Sequence, residues 1–425
     1  MSQKRNQGAT SPDLNAAWQT LRTLILANQS SKLHQFWHSL NADQQHRVVD
    51  MVDVHGDTLA HFAARHHCVN QLCWLLEEAR ADPQVANEHG RQLIHEAVDH
   101  LACLELVLSA LQRKCGDSGQ RLGNTRRPSD HSESRGTRGN AWVNVAKRGG
   151  WTPLHTVAQK GLVANLQLLL QYGADPHLVN KDGYSPVHLA SQEGHLATLV
   201  LLLDVDPRLA LLATKNGRLP IHLAARRGDK TMVQWLLVQS KDTPLDIQES
   251  FCQMHPKILG LVGRQGSAEL QSASPVHQRW CLSDLLYATD RAGADVFQDS
   301  IVSGNVSLVQ YLMEEPFLVP LLKGRWRNRE SATGKMAVHL ACLTGQVDLV
   351  RLLGRHGLLD DPDVRDTWDQ WTPLFYAARY GHVEIIRYLT THCRARKDVM
   401  DKHGRTPLDV AQMWQQPTHI LDLLR

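Results

Sequence analysis

The sequence predicts an all-α solenoid of about nine helix–turn–helix repeats, with β-hairpin-like turns and two inserted loops. A short segment, clearest at 150–158, returns with a similar Pro-x-His core at 186–188 and 220–222. The histidines of these three copies, His155, His188 and His222, stand 33 and 34 residues apart. A fixed period in this range is typical of repeat proteins, in which each unit packs only on its neighbours.

Weaker copies extend the same register along the chain. His61 and His95 mark two repeats before the clearest copy, and His339 marks one repeat after it. In the other three copies a different side chain is expected at the histidine position. These three residues are Phe297, Phe375 and Asp409. All the copies together predict nine repeats.

Each part of the motif has a structural reason. A Gly in the turn can adopt a positive φ, which other residues avoid. Thr or Ser before Pro predicts the start of a helix, because the hydroxyl caps the first turn and Pro suits the first helical position. Leu and Ala at helical spacing predict the packed face of the first helix, and a second Gly predicts its end. A Leu triplet, as at 168–170, predicts the buried second helix.

Departures from the period predict where segments begin and end. Intervals of 60 residues between His95 and His155 and of 75 between His222 and Phe297 are too long for one repeat. The first extra segment is rich in Arg, Ser and Gly, which predicts disorder, whereas the second contains apolar stretches. The predicted segments are a disordered N-terminus over 1–13, a helical cap over 14–52, repeats 1–2 over 53–111, a disordered insert over 112–144, repeats 3–5 over 145–238, an insert over 239–288 and repeats 6–9 over 289–425.

Composition restricts the class of protein. Hydrophobic residues make up 42% and charged residues 21%, and the net charge of +3 is too small to predict nucleic-acid binding by itself. The eight cysteines form no CxxC pair, and no apolar signal follows Met1. We therefore predict a monomeric protein of the cytoplasm, with the nucleus as a second location, without membrane insertion or direct nucleic-acid contact.

No catalytic residue, metal site or cofactor is predicted. Most of the regularly spaced histidines are explained by the repeat, where the imidazole is expected to bond backbone groups. The tight cluster at 66–68, His-His-Cys, lacks a second pair of ligands nearby. Neither a nucleophile motif nor a Gly-rich phosphate loop is present, so a non-enzymatic function is predicted.

Two recurring positions are predicted to face a binding partner. The residue after the hairpin Gly is expected to point along the exposed concave edge, and the turn after each first helix supplies a second row. Trp, Tyr and Arg are enriched at binding hot spots. The alternatives are a ring lying flat on the next hairpin and a solvated basic face. The candidate residues are Trp151, Lys160, Lys181, Tyr184, Gln192, Arg218, Arg226, Arg227, Trp371, Arg379, Tyr380 and Arg405.

The Thr-Pro-Leu-His motif at 152–155 and its copies resemble the ankyrin-repeat family. A closer resemblance, carried by 56–66, 93–97, 151–154 and 180–194, is to the ankyrin-repeat cofactors of alanyl-tRNA synthetase. It implies that the synthetase is the partner and that lysine side chains accept misactivated serine, which limits mischarging. Lys181 lies in a matching Asn-Lys-Asp-Gly turn. Arg148 and Leu211 stand at the other aligned positions, with Lys147 and Lys215 close by.

Two other functions stay open at this point. A scaffold or adaptor in ubiquitination or signalling would use the same kind of surface. A protein that accepts amino acids in its own right would carry a seryl group on Lys181.

Overall fold

The computed structural model describes residues 12–119, 141–243, 245–248, 280–330 and 332–425. Contacts divide the chain into two compact units, Met1–Lys181 and Asp182–Arg425. The described residues form helices and turns without a strand, which confirms the predicted all-α class. The predicted N-terminal disorder falls on residues 1–13, of which 1–11 lie outside the described part.

The first unit begins with three helices, which occupy the segment predicted as a helical cap. Leu21 and Ile25 are fully buried there, and the Trp18 ring meets Phe62 edge-on at 5.9 Å between centroids. The cap therefore shares its core with the first repeat. The helices of this unit are Pro12–Leu26, Ser30–Ser39, Ala42–Val49, Leu59–Arg65, Val69–Glu77, Leu93–Ala97, Leu101–Gly119, Pro153–Lys160 and Val163–Gln171.

The second unit continues the alternation of first and second helices. A 3₁₀ turn, Pro207–Leu211, and a π-helical turn, Tyr388–His392, follow two of the second helices. The α-helices are Pro186–Glu193, Leu196–Val205, Pro220–Arg227, Lys230–Val238, Leu282–Leu286, Val296–Ser303, Val306–Glu314, Val319–Leu322, Ala337–Thr344, Val347–Arg355, Pro373–Tyr380, Val383–Arg387, Pro407–Met413 and Thr418–Leu424.

The repeated histidine joins one repeat to the next. In the first unit, Nδ1 of His61 accepts the backbone N–H of Thr58 at 3.2 Å, so the ring proton sits on Nε2 and points to the Arg91 carbonyl at 3.2 Å. His222 and His339 form the same two bonds in the second unit. Each ring thus caps its own helix and satisfies a backbone carbonyl of the following hairpin.

The repeat after the second insert departs from the predicted register by one residue. Asp295 is the N-cap and Gln298 is the third helical residue, so Gln298 occupies the histidine position and the assignment of Phe297 to it was wrong. The Gln298 side chain accepts from Asp295 N at 3.1 Å and donates to the Asn328 carbonyl at 3.1 Å. An amide carries one acceptor and a donor, as does a neutral imidazole, which explains the replacement.

Neighbouring hairpins touch through their backbones. Glu88 N donates to the His55 carbonyl at 3.0 Å, and Lys402 N donates to the Asp369 carbonyl at 3.1 Å. The approach is close enough to demand glycine: at Gly183, with φ +82°, an added Cβ would lie 2.6 Å from Lys215 N. The turns are hairpin-like, as predicted, without forming a sheet among the described residues.

The first insert is shorter than its predicted bounds, and part of the second is ordered. A helix continues to Gly119, and Trp142 and Val143 are buried, so the predicted disorder over 112–144 is wrong at both ends. The rest of that predicted segment, 120–140, lies outside the described residues. In the second insert, 249–279 also lie outside them, whereas buried Trp280 donates from Nε1 to the Leu236 carbonyl at 3.0 Å.

The Phe375 repeat offers a test of helix capping. Because Phe375 cannot bond the N-cap, the buried hydroxyl of Thr372 has no hydrogen-bond partner among the described residues. Thr406, by contrast, donates to Asp409 Oδ2 at 2.7 Å. We expect Thr406→Val to lower the free energy of unfolding by about 1 kcal/mol, and Thr372→Val to leave it unchanged or raise it. Urea unfolding of the two variants checks this, and equal losses would contradict it.

Candidate functional site

Two candidate residues of the first unit, Trp151 and Lys160, contact residues of their own unit. The Trp151 ring is partly buried, 6.0 Å from the His155 ring, and Lys147 Nζ lies 5.7 Å from the centre of the Trp151 ring. Lys160 forms an ion pair with Asp99 at 2.6 Å. Trp151 therefore lies partly against its own repeat and partly open, between the two alternatives predicted for it.

Two lysines of the first unit differ in environment. Burial, followed by the nearby charge of Arg91, lowers the pKa of Lys147 below its ordinary value. Lys181 is exposed, and its backbone N–H donates to the Gly149 carbonyl at 2.9 Å, which holds this turn against the preceding hairpin. A lowered pKa increases the fraction of neutral, nucleophilic amine at neutral pH.

A carboxylate with two arginines lies in the early repeats of the first unit and was missed by the sequence reasoning. Glu96 receives Arg65 Nε on one oxygen at 3.0 Å and Arg91 Nη1 on the other at 3.2 Å. Burial alone would raise the pKa of Glu96, but the bonds and charges of the two arginines lower it. Glu96 directly follows the repeat histidine, so this position could have been examined in every copy.

In the second unit, the same position after the histidine equivalent holds Asp299, which brings two candidate arginines together. Asp299 Oδ1 lies 3.1 Å from Arg226 Nη1 and 3.7 Å from Arg218 Nη2, and Arg218 also pairs with Asp290 at 3.1 Å. Asp299 Oδ2 is buried and has no hydrogen-bond partner among the described residues. Arg218 and Arg226 thus hold a buried acid of their own chain.

The asymmetry of the Asp299 contacts has an electrostatic consequence. Burial raises the pKa of Asp299 to about 6, because the arginines that favour the charged form reach one oxygen and leave the other desolvated. In Glu96 both oxygens are paired, and the pKa falls instead. Burial and the nearby charge of Asp290 outweigh the arginines at Asp299, whereas the two arginines outweigh burial at Glu96.

Replacing Asp299 with Asn is expected to alter the pH dependence of stability. The pKa of this carboxyl is about 6 in the folded state and 3.8 ordinarily, so the folded state binds the proton more tightly than the unfolded state does. Ionisation of Asp299 therefore destabilises the fold as the pH rises through 6. Between pH 7 and pH 5 the wild type should gain about 1 kcal/mol relative to Asp299→Asn. Urea unfolding at both pH values measures this difference, and an equal difference at the two would contradict it.

Three other candidates of the second unit lie on the neighbouring repeats. The Tyr184 ring is partly buried, edge-on to the His188 ring at 6.0 Å. Arg227 Nη1 donates to the Gln192 backbone carbonyl at 3.1 Å, and this contact joins the ends of two successive first helices. The Gln192 side chain is exposed.

The prediction that Trp371 is exposed is wrong. Its ring is only 5% exposed, stacks on Phe375 at 5.6 Å, and donates from Nε1 to Asp401 Oδ2 at 3.2 Å. Arg405 binds the same Asp401 oxygen through Nε and Nη2 at 2.9 and 2.7 Å. Asp401, one repeat further along the chain, supplies the acceptor that draws the indole inward.

The last two repeats carry an exposed group of side chains that we term the C-terminal aromatic patch. It consists of Arg379, Tyr380, Met413 and Trp414. Tyr380, Met413 and Trp414 are 45%, 60% and 53% exposed. Arg379 lies between the rings, with its guanidinium carbon 4.3 Å from the centre of the Trp414 ring. The sequence reasoning missed Met413 and Trp414, although Trp414 follows Thr406 at the same distance as Tyr380 follows Thr372.

The described residues also bear on metal binding and on membrane crossing. Within the described ranges, no group of three His, Cys, Asp or Glu side chains has a geometry that could hold a metal ion. None of the helices in those ranges combines the length and the apolar character that crossing a membrane requires.

A family model described as ankyrin repeats matches residues 139–210, 154–249 and 357–425. Ankyrin repeats indicate a protein–protein interaction domain. Phosphate system positive regulatory protein PHO81 of Saccharomyces cerevisiae is 40% identical over 77 residues, which are 18% of this chain and 6% of that protein. The nuclear factor NF-kappa-B p105 subunit of Gallus gallus is 29% identical over 142 residues, 31% of this chain and 14% of that protein. The chain thus spans a small part of these two relatives.

A third relative is covered over most of its length. Notch-regulated ankyrin repeat-containing protein of Xenopus laevis is 37% identical over 104 residues, 23% of this chain and 81% of that protein. The crystal structure of the Bcl-3 ankyrin repeat domain superposes with a TM-score of 0.40 at 20% identity, over 65% of this chain and 100% of that one, and adds nothing to the assignment. From the family model and the Xenopus relative, the chain belongs to the ankyrin repeat family.

Proposed function

We propose that the protein is non-enzymatic and binds a partner protein along the two recurring rows of its repeats. The observation that carries this proposal is the partial exposure of aromatic side chains at these positions, Trp151 in the first unit and Tyr184 and Tyr380 in the second. Large aromatic side chains that are neither buried nor isolated are the usual anchors of protein interfaces. A monomer in the cytoplasm, with the nucleus as a second location, is part of the proposal.

The specific form of this proposal is that the partner is alanyl-tRNA synthetase. The protein then acts as a cofactor that limits serine mischarging. The support is the resemblance noted in the sequence, with Lys181 in its matching turn. Transfer would join the lysine nitrogen to the carbonyl carbon of seryl-adenylate, with AMP leaving and the proton passing to solvent. Because only the neutral amine attacks, the lowered pKa of Lys147 makes it a second acceptor beside Lys181.

Binding is tested with the full-length chain and purified alanyl-tRNA synthetase by biolayer interferometry. We expect Trp151→Ala and Tyr184→Ala to weaken binding about tenfold or more, the usual loss at a hot spot. Val179→Ala, at an exposed apolar side chain of the first unit, is the control and should bind as the wild type does. If the wild type does not bind the synthetase, the specific form fails.

Serine acceptance is tested separately. The chain is incubated with the synthetase, ATP and serine, and lysine adducts are mapped by mass spectrometry. A seryl amide on Lys181 or Lys147 that disappears in the corresponding Lys→Arg variant would support the role. Unmodified lysines under excess serine would exclude it, even if the synthetase binds. Components of ubiquitin ligases or kinases recovered with the tagged chain, in place of the synthetase, would favour the scaffold or adaptor function.

A further inference from the structure

We propose that the C-terminal aromatic patch binds a partner segment in which an acidic residue stands beside a large apolar residue. This inference rests on the proposed protein-binding function and specifies the chemistry of one contact. The patch lies wholly within the second unit, on the first helices of its last two repeats.

The Arg379 guanidinium contacts aromatic rings and has no carboxylate partner among the described residues. Besides Trp414, its carbon lies 5.2 Å from the Tyr380 ring centre and 5.7 Å from that of Trp371. Its Nε is buried and lacks a hydrogen-bond acceptor in the described part of the chain. No carboxylate of the described residues forms an ion pair with Arg379, whereas Arg405 on the following hairpin is held by Asp401.

Contacts with neighbouring residues hold the C-terminal aromatic patch in place. Gln416 Nε2 donates to the Arg379 backbone carbonyl at 2.8 Å, which fixes the turn after the last first helix against the preceding repeat. Arg405 Nη1 lies 3.7 Å from the Met413 sulfur. These contacts fix the patch on one side, although Tyr380, Met413 and Trp414 are still exposed to solvent. Rings held in place lose little conformational freedom on binding, which favours affinity.

A second cation, on the preceding repeat, lies over a buried ring that contacts Trp371. Lys335 Nζ lies 5.6 Å from the Tyr376 ring centre, and the Tyr376 ring contacts that of Trp371 at 5.2 Å between centroids. Lys335, like Arg379, forms no ion pair with a carboxylate of the described residues. Lys335 and Arg379 thus each lie over a ring of a buried aromatic pair, Tyr376 and Trp371.

Charge complementarity selects the occupant. A partner carboxylate would give Arg379 the anion that its own chain supplies to Arg218, Arg226 and Arg405. Formed beside aromatic rings, such a bond is better shielded from water than an exposed ion pair. An adjacent Leu, Phe or Trp would cover Met413 and Trp414. A basic segment would be repelled by both cations.

The test is selection of random dodecapeptides displayed on phage against the immobilised full-length chain. We expect the selected pool to be enriched in Asp or Glu next to a large apolar residue. Anisotropy with one labelled pool peptide should show about tenfold weaker binding to Trp414→Ala and to Arg379→Gln. Replacing the peptide's acidic residue with its amide should weaken binding to the wild type but not to Arg379→Gln.

Trp368→Ala is the matched control, since Trp368 is a 65% exposed tryptophan of the same unit outside the patch, and its variant should bind as the wild type does. Circular dichroism and thermal melting confirm that each variant is folded. A pool without acidic enrichment, an empty pool, or binding unchanged by Trp414→Ala and Arg379→Gln would overturn the inference. The proposed protein-binding function fails separately, if neither the synthetase nor any other protein binds through Trp151 and Tyr184.

Discussion

At pH 5 each of two buried histidines, one in each unit, is expected to lower the free energy of unfolding by about 2 kcal/mol relative to pH 7, and in the second unit Asp299 offsets about 1 kcal/mol of that loss. Burial is the main cause that lowers the pKa of His95 in the first unit and of His339 in the second, each to about 4. In the unfolded chain a histidine titrates near 6.5. Between these values only the unfolded state binds the proton, so stability is full above pH 6.5 and is lost as the pH falls toward 4.

Denaturant unfolding at pH 7 and pH 5, followed by far-ultraviolet circular dichroism, measures the loss. The decisive variant is His339→Gln, because Gln298 shows that an amide makes both bonds of the histidine position without titrating. This variant should retain about 2 kcal/mol more of its stability at pH 5 than the wild type does. His403→Gln, at an exposed histidine, serves as the control. If the pH dependence of His339→Gln equals that of the wild type, the loss of stability at pH 5 does not come from the protonation of His339.

Phe375→Ala is expected to lower the free energy of unfolding of the second unit by about 3–5 kcal/mol. The Phe375 side chain is fully buried and stacks on the buried Trp371 ring, so truncation removes apolar contacts and leaves a cavity. A solenoid transmits such a loss mainly to the adjacent repeats, and those at the C-terminal end should unfold first.

Urea unfolding of Phe375→Ala, with hydrogen exchange to locate the weakened repeats, checks this expectation. Trp368→Ala is the comparison, because it truncates a larger ring that is mostly exposed and should change stability by about 0.5 kcal/mol or less. A loss below about 1 kcal/mol for Phe375→Ala would mean that neighbouring side chains close the cavity.

The repeat register could be predicted wherever Thr or Ser, Pro and His occur together, as at 152–155. It failed by one residue at Gln298, where neither Pro nor His is present. The pattern there is a capping box of a different kind, in which Asp295 is the N-cap and Gln298 its partner. The capping residues Asp295 and Gln298 therefore predict the correct register, although the commoner Pro-x-His motif is absent.

The environment of the candidate side chains could be predicted less well. The burial of Trp371 depends on Asp401, and the pairing of Arg226 depends on Asp299, 73 residues further along and beyond an insert. Contacts of this range follow from how repeats stack, which a single motif does not contain. The match of Trp414 with Tyr380, by contrast, follows from counting residues after each N-cap.

The burial of Trp142 has a practical consequence for engineering. Its ring meets that of Tyr172 at 6.1 Å, and the next side chains fasten the chain further, with Asn144 Oδ1 accepting from Asp175 N at 2.9 Å. The backbone entering the segment is held as well, since Arg113 and Lys114 pair with Glu77 and Asp82. A fluorescent reporter inserted between 120 and 140 would leave all of these contacts in place.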